Sequence, residues 1–242
     1  MRVRAVVAYD GTDYSGFQRQ ANAPTVQEAL EIALEQVTQE AVSILAAGRT
    51  DAGVHAAGQV IAFDTSWRHG PKVLQRALNA VLPRDVVVRD VERAALDFHP
   101  RYDAIRRYYR YSLYNAPVRC PLARRFRLHV AKPLDVGAMQ QAAQILLGEH
   151  DFAAFGQPPQ GTVTIRHVFR AEWKGEAPNW AFDVEANAFL YRMVRSIVGT
   201  LLQVGQGRMS VEAFENVLAS RERGQAGPTA PPHGLCLIKV LY

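Results

Sequence analysis

The sequence predicts an α+β fold built of two related ferredoxin-like lobes with predominantly antiparallel sheets. Segments with the period-two alternation of strands are interspersed with segments that have the 3.6-residue period of amphipathic helices, and in the first lobe their order is βαββαβ. The second lobe roughly repeats that order. With 242 residues, of which 48% are hydrophobic, the chain is long enough to fill two such cores. We place the lobes at residues 1–95 and 96–242.

The first lobe is predicted to contain four strands and two helices. Thr25 is an N-cap candidate, and Glu28 follows at the spacing of a capping box, immediately before an apolar stripe of helical period. The long loop Gly11–Pro24 precedes this helix, and a loop of that length in a compact domain is more often functional than idle. The remaining elements are the strands Arg2–Asp10, Val42–Ala47, Gln59–Asp64 and Asp85–Val91 and the helix Pro71–Val81.

The second lobe begins with an aromatic and basic strand, Ala104–Tyr114. Because side chains alternate between the faces of a strand, Tyr109 and Tyr111 share one face, and Tyr108 and Arg110 share the other. The later elements are the helix Asp135–Leu147, the paired strands Thr162–Trp173 and Trp180–Ala186, the helices Phe189–Val204 and Ser210–Leu218, and the last strand Leu235–Leu241.

The positive charge of the chain is concentrated in one segment. The formal net charge is +5, yet the stretch from Arg101 to Arg127 carries eight arginines and a single acid, Asp103. Arginine interleaved with aromatic residues is typical of a surface that contacts phosphates. A solvated strand face would have the same charge pattern, so charge alone leaves both interpretations open.

Composition also excludes several classes of protein. No apolar run is long enough to span a bilayer and no signal peptide precedes the first strand, so we expect a cytoplasmic protein without membrane contact. Cys120 and Cys236 lie far apart and belong to no CxxC motif, which indicates neither a zinc site nor a disulfide framework.

The stretch Ala46–Thr65 holds the most informative motif. Two predicted strands enclose the sequence GRTDAGVH, in which two glycines flank a short segment that must bend sharply. Asp51 is thereby presented on a loop, with Arg49 two residues before it and His55 four residues after it. An aspartate in such a turn often forms an Asx turn with its own backbone, so the residue types alone favour a structural role.

Residues 48–56, Gly-Arg-Thr-Asp-Ala-Gly-Val-His-Ala, resemble without a gap the signature of the tRNA pseudouridine synthase A family. The resemblance continues in order along essentially the whole chain. It includes Tyr9-Asp10-Gly11-Thr12 with Tyr14, Gly16, Phe17, Gln18 and Gln20, Phe98-His99 with Arg101, Arg107, Tyr109 and Tyr111, Gly148 to Phe152, Ala186 to Phe189, Met193 to Arg195 and Ala230 to Leu235.

This resemblance implies an isomerase that converts uridine to pseudouridine at positions 38, 39 and 40 of the tRNA anticodon stem-loop. Asp51 would be the covalent nucleophile, attacking either C6 of the uracil or C1′ of the ribose, and no metal or organic cofactor would be required. The base that removes the C5 proton stays open between Asp51, a tyrosine and water. The family pattern also implies a homodimer, whose ferredoxin-like or RNP-like lobes would meet at a central RNA-binding cleft.

The resemblance assigns roles to three further residues. Arg195 would form an ion pair with Asp51, since a guanidinium favours the ionised carboxylate that attack requires. Tyr109 would stack on the flipped uridine. Arg49 would reach the RNA backbone or hold the displaced strand, whereas His55 is expected to be a packed, hydrogen-bonded residue without a catalytic role.

Two departures and two alternatives remain. The segment Gly156–Thr162 is shorter than the family's variable loop, and Tyr108 stands where an arginine is frequent. A non-catalytic tandem RNA-binding module would explain the basic aromatic strand but would give residues 48–55 no task. A hydrolase with an aspartate nucleophile would require a metal or phosphate cradle, and the sequence indicates neither.

Overall fold

The computed structural model describes residues 1–158 and 161–242, which form two compact units. One unit comprises Met1–Ile105 together with Cys236–Tyr242, and the other comprises Arg106–Leu235. The last strand of the chain therefore belongs to the first unit, although the sequence analysis placed it in the second lobe. Residues 159 and 160 of the short segment Gly156–Thr162 lie outside the described residues.

The described residues form ten strands and five α-helices in a mixed α+β arrangement. The strands are β1 (Arg2–Tyr9), β2 (Leu45–Ala46), β3 (His55–Asp64), β4 (Val86–Arg93), β5 (Arg106–Asn115), β6 (Leu128–Val130), β7 (Gly148–Asp151), β8 (Ile165–Glu176), β9 (Asn179–Ala186) and β10 (Leu235–Leu241). The helices are α1 (Val26–Thr38), α2 (Pro71–Val81), α3 (Val136–Gln144), α4 (Met193–Gly205) and α5 (Val211–Ser220).

In the first unit the strand order is β4-β1-β3, and β3 also pairs with β2 and β10. All pairings are antiparallel except that of β3 with β10, which is parallel. Strand β1 alternates strictly between buried and half-buried residues, so its Val3, Ala5 and Val7 side chains enter the core. This alternation and the predicted βαββαβ order are both confirmed.

In the second unit β5, β9, β8 and β7 form an antiparallel series, and β6 pairs in parallel with the end of β5. One face of this sheet is apolar, with Tyr111 and Leu113 of β5 buried beside Phe182 and Val184 of β9. Helices α3, α4 and α5 pack on one another, and α3 also packs on β8, so they supply the rest of this core.

The helix starts follow the local chemistry that the sequence indicates. The Thr25 hydroxyl accepts a hydrogen bond from the Glu28 backbone N–H at 3.3 Å, which confirms the predicted cap of α1. Asp135 and Ser210 cap α3 and α5 in the same way, by accepting the N–H three residues later. Helix α2 occupies the residues predicted for it, with Pro71 in its first turn, where the missing N–H costs no helical bond.

Several predicted elements differ in length from the observed ones, and in two of them the reason is that backbone donors find partners outside the element. The strand expected at Val42–Ala47 is only Leu45–Ala46, since the Ile44 N–H donates to the Glu31 carboxylate of α1 and not to a neighbouring strand. The helix expected from Phe189 begins at Met193, because the Tyr191 N–H donates to the Gln157 carbonyl and Arg192 adopts a left-handed conformation. No helix in the described part of the chain is both long and apolar enough to span a membrane.

Candidate active site

The Asp51 loop, residues 47–54, joins β2 to β3 in the first unit. At its entrance the Ala47 N–H donates to the Val60 carbonyl at 2.8 Å, and the buried Gln59 side chain donates to the Gly48 carbonyl at 2.8 Å. A turn follows in which the Val54 N–H donates to the Asp51 carbonyl at 3.1 Å. The side chain of Asp51 is half-buried at the apex of this loop.

The two glycines of the motif differ in what they do. Gly53 has φ +76°, a left-handed conformation that favours glycine, as the sharp bend predicts. Gly48 has no positive φ, and no described atom lies within 4 Å of the position that a Cβ would occupy. The expectation of a special backbone requirement is therefore confirmed for Gly53 and wrong for Gly48.

The loop after β1 holds the Asp51 loop by backbone contacts on both sides of the aspartate. The Phe17 N–H donates to the Thr50 carbonyl at 3.1 Å, and the Gly53 N–H donates to the Tyr14 carbonyl at 3.3 Å. Gly16 makes this approach possible, because a Cβ there would lie 2.8 Å from the Thr50 carbonyl oxygen. The loop Gly11–Pro24 thus positions the backbone that carries the candidate nucleophile.

Side chains of β1 and β3 reinforce the same contact. The buried Tyr9 hydroxyl and the buried Thr50 hydroxyl lie 2.8 Å apart in a hydrogen bond. His55 is buried, and its Nδ1 accepts the Gly11 N–H at 3.0 Å. Asp10 Oδ1 lies 3.1 Å from the same nitrogen. The expected packed, hydrogen-bonded role of His55 is confirmed.

Tyr14 links the same loop to the end of the sheet. Its hydroxyl donates to the Asp85 carboxylate at 2.8 Å, immediately before β4. Burial and this hydrogen bond raise the pKa of the Tyr14 phenol, so the hydroxyl remains a donor at neutral pH. The contact anchors the chain that holds Gly53.

Arg49 is exposed on the Asp51 loop. It therefore shares a loop with the candidate nucleophile and presents its guanidinium to solvent, where a polyanion could reach it.

In the second unit, Tyr109 lies on β5 opposite Val184 of β9. Its ring is half-buried and contacts the edge of Phe189, with ring centroids 5.1 Å apart and an interplanar angle of 86°. Two residue pairs further along the strands, Arg107 donates to the Asn187 carbonyl at 2.7 Å, which ties β5 to the segment that carries Phe189. The Tyr109 ring is thereby held at one end of the sheet.

Arg195 lies in the first turn of α4 and is clamped to the segment before β10. Its Nε donates to the Ala230 carbonyl at 2.8 Å, and the Ala230 N–H donates back to the Arg195 carbonyl at 3.0 Å. One helical turn on, Gly199 lets that segment approach, since a Cβ there would lie 1.7 Å from the Pro228 carbonyl oxygen. The Arg195 side chain is half-buried, with its stem fixed from Nε inward.

Tyr111 holds the next residue of the same segment, Pro231. Its buried hydroxyl donates to the Pro231 carbonyl at 2.8 Å. Burial raises the pKa of this phenol, while the positive charge of Arg195 acts in the opposite direction. Tyr111 is therefore a neutral structural donor.

The opposite face of β5 carries a charged network and not a free basic stripe. Asp183 of β9 is buried and accepts two hydrogen bonds from Arg110, at 2.7 and 2.9 Å. The Tyr108 hydroxyl accepts from the same guanidinium at 2.8 Å, and Arg170 lies over the Tyr108 ring. Burial raises the pKa of Asp183, but hydrogen bonds from Arg110 and Tyr108 and the charge of Arg170 outweigh it, so the net shift is downward.

The four candidate site residues are thus divided between the units. Arg49 and Asp51 share one loop of the first unit, and Tyr109 and Arg195 lie on β5 and α4 of the second. The ion pair expected between Asp51 and Arg195 stays a prediction. The sequence analysis missed Tyr9, Thr50 and the loop-holding contacts of residues 11–17, although the tyrosine and glycines of that stretch were part of the recognised motif.

The whole chain is similar to known proteins of one kind. A family model described as tRNA pseudouridine synthase matches residues 5–103 and 142–242. The tRNA pseudouridine synthase A of Chloroflexus aurantiacus is 50% identical over 246 residues, covering 99% of this chain and 88% of that relative. Those of Moorella thermoacetica and Geotalea uraniireducens are 46% and 43% identical, and each alignment covers at least 99% of both chains.

These similarities define an RNA-modifying enzyme of the isomerase class. The chain belongs to the tRNA pseudouridine synthase family. Among solved structures, a chain of a Cbf5-Nop10-Gar1 complex aligns with 83% of this chain and 45% of its own length, at 15% identity. Its TM-score of 0.37 is too low to bear on fold or function.

Proposed function

We propose that this protein isomerises uridine to pseudouridine at positions 38, 39 and 40 of the tRNA anticodon stem-loop, with Asp51 as the nucleophile. The observation that carries the proposal is the way the backbone around Asp51 is positioned. The backbone on either side of it is held at Thr50 and Gly53 by the loop after β1, while the carboxylate itself stays half-exposed. Such preorganisation of a reactive group accounts for much of the rate of enzymatic reactions.

The reaction rearranges bonds within one nucleotide. The C1′–N1 bond breaks, a C1′–C5 bond forms, C5 loses its proton and N1 gains one, so neither an oxidant nor a reductant is needed. The Asp51 carboxylate forms a transient ester at C1′ or an adduct at C6, which keeps the cleaved intermediate bound. The proton acceptor at C5 is Asp51 itself, a tyrosine or water.

The other candidate residues have supporting roles in this proposal. Arg195 keeps Asp51 ionised, and the clamp between its Nε and Ala230 supports such a role by limiting the positions of the guanidinium. Tyr109 stacks on the flipped uracil, and recovers about 1–3 kcal/mol of the cost of unstacking. Arg49, exposed on the Asp51 loop, contacts the RNA backbone.

We further propose two ferredoxin-like, RNP-like lobes that face a common RNA-binding cleft, in a cytoplasmic homodimer. The β4-β1-β3-β2 order of the first unit supports the ferredoxin-like description of that lobe. The homodimer and the cytoplasmic location rest on the family alone, and the oligomeric state is measured by sedimentation with and without tRNA.

The decisive experiment measures tritium release from tRNA that carries uridine labelled at C5. We expect release by the wild type and none by Asp51→Ala or Asp51→Asn, with tRNA still bound by both variants. Asp90→Asn, which removes an exposed carboxylate from β4 of the same unit, is the matched control and should release tritium as the wild type does. Binding of tRNA by the wild type without any release would overturn the proposal and favour a non-catalytic tandem RNA-binding module.

A further inference from the structure

The second unit contains a cavity of about 460 Å³ that none of the proposed catalytic residues lines. It is bounded by the end of β5, the segment that follows it and β6, and His233 closes one side from the short helical turn Pro232–Gly234. Its volume lies within the range of small-molecule sites, roughly 300–1,000 Å³. Most of its lining belongs to residues 104–141, which the family model does not match.

The lining is strongly positive. Arg119, Arg124 and Arg127 face the cavity, and none of its described lining residues is an aspartate or glutamate. Arg119 and Arg124 are exposed and form no ion pair with any described residue. Three guanidinium groups around one cavity repel one another unless an anion lies between them, and arginine matches phosphate with two parallel hydrogen bonds.

The rest of the arginine-rich segment behaves differently. Arg106 pairs with Glu185 at 3.1 Å and Arg110 pairs with Asp183, so these two charges on β5 are balanced by carboxylates of β9. Arg119 and Arg124 at the cavity have no such carboxylate partner among the described residues. The phosphate-contact surface that the sequence indicated for residues 101–127 corresponds to this part of it.

The cavity also has an aromatic wall. The rings of Tyr114 and His129 lie with their centroids 6.1 Å apart at 42°, and Leu128 also lines the cavity. A planar base can stack on such a wall while its phosphate meets the guanidinium groups. An inorganic anion would leave this wall unused, so the combination points to a nucleotide.

The walls are fixed before any ligand arrives. Strand β6 pairs with β5 through Leu113 with Leu128 and Tyr114 with His129. His129 Nε2 lies 2.8 Å from the Ala116 carbonyl, and the Asn115 side chain donates to the carbonyl of the last residue of β6 at 2.8 Å and to the Lys132 carbonyl at 2.7 Å. No group of three or more His, Cys, Asp or Glu residues within 1–158 and 161–242 is placed to hold a metal ion, so the cysteine and histidines here do not form a metal site.

We infer that this cavity is a second nucleotide site, which binds a nucleotide phosphate between Arg119, Arg124 and Arg127 and its base against Tyr114. The inference extends the proposed function, because a nucleotide of bound tRNA outside the reacting uridine is one source of that chemistry. A free nucleotide is the other source, and the two are distinguished by experiment.

The test compares two double variants that remove the same charge. Arg119→Ala/Arg124→Ala removes the two exposed guanidinium groups that line the cavity. Arg76→Ala/Arg208→Ala removes two exposed arginines that do not line it. The dissociation constant of tRNA is measured over a series of salt concentrations. For the cavity variant we expect about tenfold weaker binding near 0.1 M salt and a slope of log K against log[salt] reduced by about one, the value for one lost phosphate contact. Equal effects of both double variants would assign the loss to net charge and overturn the inference.

A third substitution and a free ligand complete the test. Tyr114→Leu should weaken tRNA binding without changing the salt slope, because stacking is not screened by salt as charge is. Equilibrium dialysis with uridine monophosphate identifies the source of the nucleotide. If the wild type binds the monophosphate and the cavity variant does not, the site takes free nucleotides. If the cavity variant loses only tRNA affinity, the site takes a nucleotide of the RNA chain. If tRNA affinity and slope are unchanged and the monophosphate does not bind, the site is refuted. Tritium release by the wild type is scored separately, so its absence would refute the isomerase and leave the nucleotide site standing.

Discussion

Replacing Gly16 by alanine should displace the backbone around Asp51, and it should lower the catalytic rate more than it lowers the stability of the fold. Gly16 has φ +99°, and its Cβ would lie 2.8 Å from the Thr50 carbonyl oxygen and 3.3 Å from the Ala52 nitrogen. Those two atoms flank Asp51 in the chain. To reach an ordinary contact of 3.4 Å, the Thr50 carbonyl must retreat by about 0.6 Å.

The magnitude follows from these two effects. A left-handed conformation costs alanine about 1–2 kcal/mol relative to glycine, and the displaced carbonyl weakens its hydrogen bond from Phe17. A total near ~2 kcal/mol lowers the midpoint of thermal unfolding by about 4–8 °C in a chain of this length. A displacement of 1 Å at a reacting group can cost about 100-fold in rate, so a shift of this size should lower kcat about tenfold or more.

The assay combines calorimetric unfolding with single-turnover tritium release at saturating tRNA. Gly48→Ala is the matched control for stability, because it adds the same methyl group to the Asp51 loop where no described atom lies within 4 Å. Its unfolding midpoint should stay within about 2 °C of the wild type. A Gly16→Ala protein that unfolds like the wild type and turns over at the wild-type rate would refute the reasoning that the loop after β1 positions the nucleophile.

Three further predictions concern single contacts. Tyr9→Phe and Thr50→Val each remove one side of a buried hydrogen bond of 2.8 Å. The stability losses of the two single variants and the double variant, measured by urea unfolding, should show a coupling energy of about 1 kcal/mol. Strictly additive stability losses would contradict that bond. Tyr109→Phe should retain most of kcat/KM, whereas Tyr109→Ala should lose about 5–150-fold, the equivalent of ~1–3 kcal/mol of stacking; a large loss with phenylalanine would instead give the hydroxyl a chemical role. Asp183→Asn should destabilise the protein by about 1–3 kcal/mol at pH 7, because Arg110 loses an ionised partner but is itself partly exposed. The pKa of Asp183 is lower in the folded than in the unfolded protein, so the stability that Asp183 contributes is present above its unfolded pKa and is lost as pH falls through the folded pKa. The difference in unfolding free energy between wild type and variant, measured in urea, should therefore narrow on acidification. A difference independent of pH would contradict the assignment.

Elements whose ends are marked by local chemistry could be predicted from the sequence. Helix α2 was predicted at its observed residues, and the cap of α1 at Thr25 is confirmed, because both depend on residues within one turn of the helix end. The start of α4 was missed by four residues for the opposite reason. Its position is decided by the bond between Tyr191 and Gln157, which are far apart in sequence, and no period in the local pattern reports that bond.

In the candidate site, too, the features marked by local sequence could be predicted and those set by distant contacts could not. The motif around Asp51 identified the loop and the family, and Tyr109 and Arg195 were assigned by resemblance. The function of Gly16 could not be predicted, because it depends on which backbone atoms a second loop brings near Thr50. A glycine in a loop predicts conformational freedom, whereas here it also serves close approach.

This distinction changes how the N-terminal motif is interpreted. Gly11 belongs to the recognised N-terminal motif, yet it is buried and a Cβ there would lie 2.0 Å from the Val54 carbonyl oxygen. Its N–H is used by His55, and Asp10 lies against the same imidazole. The first half of the motif is thus occupied in holding the Asp51 loop, whereas the stretch from Gln18 to Gln20 is exposed and accessible to a polynucleotide. Substitutions in the two halves should therefore separate by readout: those at Gly11 act on kcat and stability together, whereas those at Gln18 act on tRNA affinity.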